Sequence, residues 1–162
     1  MKINYLISII IFIPVLIIQT TVVPLISIGQ VVPDLIIILL VYYSITEGQI
    51  YGTILGFVYG FFFDLVTGSL LGSSMIAKTV AGFVAGYFSS ENKIDIYLMF
   101  FNFGLIVFLS ALIDQIIYSF FSAFDISSNI FLIFFQNAFL PAFYTALLSM
   151  IIIIFVPKKR IL

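Results

Sequence analysis

Four charged side chains fall within or at the edge of long apolar runs: Asp34, Asp64, Lys78 and Asp114. Carboxylates and an ammonium set among aliphatic residues have one obvious chemistry, which is to find one another. A charge at the centre of a bilayer costs roughly 2.5 to 3.5 kcal/mol on insertion scales, so such groups turn into a bundle and pair. Lys78 is expected to meet Asp114, Asp64 or both, its long stem letting the ammonium reach along the helix. The expectation is thus an intramembrane polar cluster of Asp34, Asp64, Lys78 and Asp114. The plainer alternative is a single ion pair that fixes helix packing. Other chemistry lacks the residues it needs. The sequence has no Cys and no His. That removes thiol and imidazole metal sites, disulfides and His-based proton transfer. No nucleophile–base pair, metal-ligand spacing or phosphate loop is present, so neither an enzyme nor a cofactor is expected.

The elements that position these charges must be membrane helices. Of 162 residues, 64% are hydrophobic and 8% charged, where a soluble domain carries roughly 25% charged residues. No soluble core of this size hides so much apolar surface, so lipid is the solvent. Apolar runs extend from one terminus to the other, which makes residues 1–162 a single integral membrane domain. A net charge of −1, with no basic patch beyond the last few residues, gives no reason to expect nucleic acid. A crossing helix needs about 20 apolar residues. Six spans are read, over about 5–23, 35–46, 49–66, 71–88, 96–121 and 130–156. The second is short, opens on Pro33-Asp34, and could be tilted or partly re-entrant. Pro141 is expected to kink the sixth. The N-terminal run resembles a signal peptide but has no small-residue cleavage site, which favours a retained first helix.

Lysine and arginine orient the bundle. Lys2, Lys93 and the cluster Lys158, Lys159 and Arg160 fall on one side of six spans, and the opposite loops hold no Lys or Arg. Both termini are then cytoplasmic, and the four intramembrane charges lie in the outer half. Asn102, Gln115, Gln136 and Asn137 are expected to donate hydrogen bonds between helices. Glu47, at the cytoplasmic end of the second span, is expected to reach water.

The third span carries a row of small residues. Gly48, Gly52, Gly56 and Gly60 follow four apart, and Asp64 and Gly68 continue the row. Residues four apart share a helix side, and in lipid such a row lets another helix approach the backbone. The stripe drifts by about 40° per step, given 3.6 residues per turn, which suits a crossing partner. Gly82 and Gly86 give the fourth span a smaller copy. The loop between the third and fourth spans is short, so these two are expected to be antiparallel neighbours. Whether the glycines face another helix of the chain or a helix of another protein stays open at this level.

The stretch Pro33-Asp34-Leu35, then Glu47-Gly48, Gly52-x-x-x-Gly56-x-x-x-Gly60, Asp64, Gly68 and Leu71-Gly72 resembles the MreD family of rod shape-determining membrane proteins. The resemblance in motif covers roughly residues 32–86 and, in hydropathy, the whole length. It implies a non-catalytic component of the bacterial elongation machinery in the cytoplasmic (inner) membrane. The implied partner is an MreC-like single-span protein, with MreB, RodA and a class B penicillin-binding protein linked indirectly. It also implies a six-helix fold similar to the substrate-binding components of energy-coupling-factor transporters. The matching positions are Pro33, Asp34, the ladder glycines, Asp64 and Gly72, and Lys78 lies outside the motif. A small-molecule-binding transport component is the competing expectation, since six spans with charges in the outer half also fit one.

Overall fold

The computed structural model describes residues 2–29, 31–90, 93–122 and 135–155, and the regular structure among them is helical apart from one isolated bridge between Ile28 and Val31. Helix α1 (Lys2–Thr21) contains Pro14 and runs into a short 3-10 turn, Val23–Ile26. Helices α2 (Leu35–Glu47), α3 (Gln49–Thr67) and α4 (Ser73–Gly86) follow. A single turn, α5 (Ile94–Tyr97), precedes α6 (Phe100–Ser122). A π turn, Phe135–Phe139, leads into α7 (Leu140–Phe155).

The fifth helix starts later than its apolar run predicts. Asn102 Nδ2 donates to the Ile96 carbonyl at 2.9 Å, tying α5 to α6 locally instead of bridging two helices. At Pro141, where a kink was expected, the structure has a π turn just before the proline, and α7 runs through it. A proline cannot donate to the turn behind it and crowds that turn's carbonyls, which favours a widened turn there. Gln136 and Asn137 sit exposed on this turn. Residues 130–134 and 156 of the expected sixth span, and the basic cluster 158–160, lie outside the described residues.

Among the described residues, three segments are long and apolar enough to cross a membrane: Gln49–Thr67, Phe100–Phe121 and Phe135–Phe155. The surface supports the same solvent. Exposed apolar residues recur at helical spacing, as in Leu6, Ile10, Ile13 and Ile17 on α1 and Phe57, Phe61 and Leu65 on α3. The interior meanwhile holds Ser44, Asp64, Lys78, Ser110, Asp114, Thr145 and Ser149. An apolar exterior, with these polar and charged groups kept inside among the buried aliphatic residues, is the arrangement expected in lipid and not that of a soluble domain.

Helix α2 lies at the centre, packed against α1, α3, α4, α6 and α7. Its Ile36, Ile37, Leu40, Val41 and Ile45 have no exposed surface, as expected of a helix that is apolar all round. At 13 residues it is about 20 Å long, given a rise of 1.5 Å per residue. Its shortness thus goes with burial among other helices.

The glycine row packs within the chain. A Cβ on Gly56 would lie 2.7 Å from the carbonyl carbon of Lys78 and 3.0 Å from Thr79 Cα. One on Gly60 would lie 2.5 Å from Met75 Cα, and one on Gly52 2.8 Å from the Gly82 carbonyl oxygen. On α4, a Cβ on Gly86 would lie 2.9 Å from the Gln49 amide nitrogen. Backbone meets backbone along the α3–α4 contact, so Gly52, Gly56, Gly60, Gly82 and Gly86 lie against another helix of the same chain. Gly48, Gly68 and Gly72 do different work: each has positive φ, at 107°, 67° and 104°, and each shapes a turn between helices. Sequence reading missed Gly104, which lets Met150 of α7 lie against α6.

The two kinds of glycine contact should respond differently to alanine. Gly56→Ala forces backbone against backbone and is expected to cost about 1–3 kcal/mol. Gly104→Ala meets only the flexible Met150 side chain and should cost under about 1 kcal/mol. Thermal unfolding of the two variants in detergent gives the comparison, and equal losses would contradict the packing described.

Candidate functional site

The site begins where the chain turns into α2. Pro33 and Asp34 end an extended stretch, and the Asp34 carboxylate caps the helix. Its Oδ1 accepts from the amides of Ile36 at 2.9 Å and Ile37 at 3.1 Å, two of the donors a helix start leaves without partners. The neighbouring backbone is held from two other helices. Gln19 of α1 donates through Nε2 to the Pro33 carbonyl at 2.9 Å and accepts from the Leu35 amide at 2.8 Å. The hydroxyl of Thr145 on α7 accepts from the Asp34 amide at 3.0 Å.

The second oxygen of Asp34 meets Lys78. Lys78 Nζ on α4 donates to Asp34 Oδ2 at 2.5 Å and to Asp114 Oδ2 of α6 at 3.2 Å. The ammonium also lies 5.4 Å from the centre of the Phe63 ring, within cation–π range. Lys78 is 2% exposed, Asp34 7% and Asp114 3%. One cation and two carboxylates thus join α2, α4 and α6 in the interior. Lys78 was expected to meet Asp114, Asp64 or both, and of these two its ammonium lies against Asp114. Asp34 completes a triad in the place where Asp64 was also considered.

Asp64 has a separate task. Its Oδ1 accepts from Ser69 Oγ at 2.8 Å and from the Ser74 amide at 3.2 Å. Its Oδ2 accepts from the amides of Gly72 at 2.9 Å and Met75 at 3.3 Å. The last turn of α3 therefore supplies the cap for the first turn of α4. A negative charge there also faces the positive end of the α4 dipole. The positive φ of Gly68 and Gly72 folds the connecting loop so that its amides point back at the carboxylate. Gly72 thereby serves the polar end of the site and not the helix seam.

A second polar contact lies toward the other end of the bundle. Ser8 of α1 is 2.7 Å from the Tyr51 hydroxyl, and Tyr59 donates to the Ser8 carbonyl at 2.9 Å. The rings of Phe12 and Tyr59 stack with centroids 4.2 Å apart. Sequence reading passed over Ser8, Gln19, Tyr51, Tyr59 and Thr145. Isolated hydroxyl and amide residues in an apolar run carry no spacing signal that would name their partners. Gln115 borders a cavity of 150 Å³ beside the triad. Among the described residues, no group of three or more His, Cys, Asp or Glu side chains converges as a metal site.

Removing one member of a buried ion pair leaves its partner uncompensated, at about 3–5 kcal/mol. Lys78→Met is therefore expected to lower stability by that order, read as a large drop in unfolding temperature. Asp64→Ala removes only a helix cap, and a loss of about 1–2 kcal/mol is expected. If both variants unfold with the wild type, the two roles are misassigned.

Comparison with known proteins adds the family. No curated protein and no solved structure matches the chain. The profile of the family described as rod shape-determining protein MreD matches residues 1–159. That span takes in the Pro33-Asp34 helix start, the glycine row, Asp64, Gly72 and all three members of the triad. The chain belongs to the MreD family of rod shape-determining proteins.

Proposed function

We propose that this chain is a non-catalytic membrane scaffold of the bacterial cell-elongation machinery. In this reading it holds the membrane helix of an MreC-like single-span partner in the cytoplasmic membrane, and MreB, RodA and a class B penicillin-binding protein are linked through that partner. The observation that carries the reading is the family match over residues 1–159, since the family's role is in determining rod shape. The apolar exterior and the three long apolar helices support a membrane location. The reading contains no reaction step, and the triad's task in it is to keep the bundle's shape.

The proposed topology has six crossings with both termini in the cytoplasm. Several contacts favour it. Ser8, near the start of α1, touches Tyr51 near the start of α3. A Cβ on Gly48 would lie 3.9 Å from Ser89 Oγ, and Lys93 follows a few residues later. The starts of α1 and α3 and the end of α4 thus share one end of the bundle, where Lys2 and Lys93 belong. Asp34, Asp64, Lys78 and Asp114 gather toward the other end. Because α4 already fills the glycine seam of α3, the partner's helix is assigned to the outer apolar faces.

Affinity purification from native membranes tests the scaffold. It should recover an MreC-like single-span protein, and depletion should round the cells without creating a nutrient requirement. Gly56→Ala should lower partner recovery only in proportion to the folded protein it loses. Release of a stoichiometric vitamin-like molecule from the purified protein, with dependence on an ATP-driven partner, would favour a transport component instead.

A further inference from the structure

Helix α2 is enclosed on all sides but one. Its neighbours follow around it in the order α1, α3, α4, α6, α7, each packed on the next. No comparable seam joins the two ends of that order, α1 and α7, among the described residues. They meet near the triad, where the Tyr144 hydroxyl of α7 donates to the Ile26 carbonyl just after α1 at 3.1 Å. Away from that end a cleft of 290 Å³ opens between them, with α2 as its floor, Val15 and Ile18 on the α1 side and Ile152 and Ile153 on the α7 side. Helix axes pack about 8–10 Å apart, and about six equal cylinders fit around one at that spacing. The position between α1 and α7 is the one that α2 has left unfilled.

The stripe of α2 on the cleft is the exception to that helix's burial. Leu35, Leu39 and Tyr42 recur at helical spacing and are half-buried, whereas Ile36, Ile37, Leu40, Val41 and Ile45 have no exposed surface. The walls are aliphatic and aromatic, and they include no Gly, Ala or Ser. The close backbone approach that joins α3 to α4 is therefore unavailable here. An occupant has to sink large side chains between α1 and α7 instead. A cavity of about 150 Å³ takes a benzene-sized group, so this cleft takes about two such side chains.

The undescribed stretches of the sequence are poor candidates for the place. Residues 156–162 carry Lys158, Lys159 and Arg160, charges that apolar walls disfavour. Residues 123–134 are committed at both ends, to α6 and to the π turn, and fall short of the roughly 20 residues of a crossing helix.

We propose that the cleft between α1 and α7 seats the membrane helix of a single-span partner, which takes the open place beside α2 and inserts large apolar side chains one turn apart. The seat rests on the scaffold reading, which supplies the partner. It adds where the partner's helix lies and that this helix presents bulky aliphatic or aromatic residues to the cleft, not a row of small ones.

The test uses the full chain in native membranes. A photoreactive benzoylphenylalanine replaces Leu39 in one variant and Ile152 in a second, with exposed Phe83 of α4 as the control position. Irradiation should join the single-span protein recovered by affinity purification to both cleft positions and not to position 83. Val15→Trp, which fills the cleft from α1, should lower partner recovery about tenfold, the factor that corresponds to about 1.4 kcal/mol. Phe83→Trp should leave recovery unchanged. Unfolding temperatures in detergent show whether each variant is folded, and if Val15→Trp is not, the crosslinks decide alone. Full recovery with a folded Val15→Trp would overturn the seat and leave the scaffold reading standing. Crosslinks from Leu39 and Ile152 only to lipid, or only to a second copy of this chain, would do the same. Recovery of no single-span protein with the wild type would overturn the scaffold reading, and the seat with it.

Discussion

The bundle depends on one buried ammonium. Lys78 sits on α4 with 2% of its surface exposed, where an isolated charge would be strongly unfavourable. Asp34 and Asp114 make it tolerable, and they can do so only if α2, α4 and α6 hold one mutual arrangement. Hydrophobic contacts between membrane helices discriminate weakly, because lipid tails are as apolar as the side chains they replace. A polar triad discriminates strongly, because sliding or rotating any of the three helices strands a charge. Such a triad is better understood as a device for specificity than as a net source of stability.

The glycine seam and the Asp64 cap serve the same arrangement. Gly52, Gly56 and Gly60 bring the α4 backbone against α3, which fixes the depth and rotation of Lys78. Asp64 closes the connecting turn by accepting the amides of Gly72, Ser74 and Met75. A cap placed four residues beyond the last seam glycine sets where α4 begins, and so where Lys78, four residues after Ser74, projects. Gln19 and Thr145 play the equivalent part for Asp34, anchoring the start of α2 from α1 and α7. The central helix can then be short, because neighbouring helices hold the backbone at its start.

Much of this was legible in the chain, and the rest was hidden for identifiable reasons. The helix start at Pro33-Asp34 and the antiparallel pairing of α3 with α4 follow from local rules that the structure obeys. Depth along the membrane normal can be counted residue by residue, so Lys78 with Asp114 was readable. Rotation about each helix axis cannot be counted that way across a loop. Asp64 and Asp34 occupy the same end of the bundle, and only the packing decides which faces Lys78. The backbone amides that claim Asp64 come from a turn shaped by Gly68 and Gly72, a geometry the spacing alone does not specify. Asn102 was placed between helices as a polar residue in an apolar run, and its amide instead reaches the Ile96 carbonyl just before α6. The π turn before Pro141 likewise escapes a rule that marks only a kink.

The most direct measurement of the triad's governing role is a double-mutant cycle on unfolding free energy. Asp34→Asn and Lys78→Met are combined in one cycle, and Asp64→Asn and Lys78→Met in a second. A coupling of about 2–3 kcal/mol in the first cycle, with the second near zero, is the predicted result, since contacting residues couple and separately engaged ones add. Equal couplings in both cycles, or none in the first, would contradict the claim that Lys78 ties α2 to α4 through Asp34.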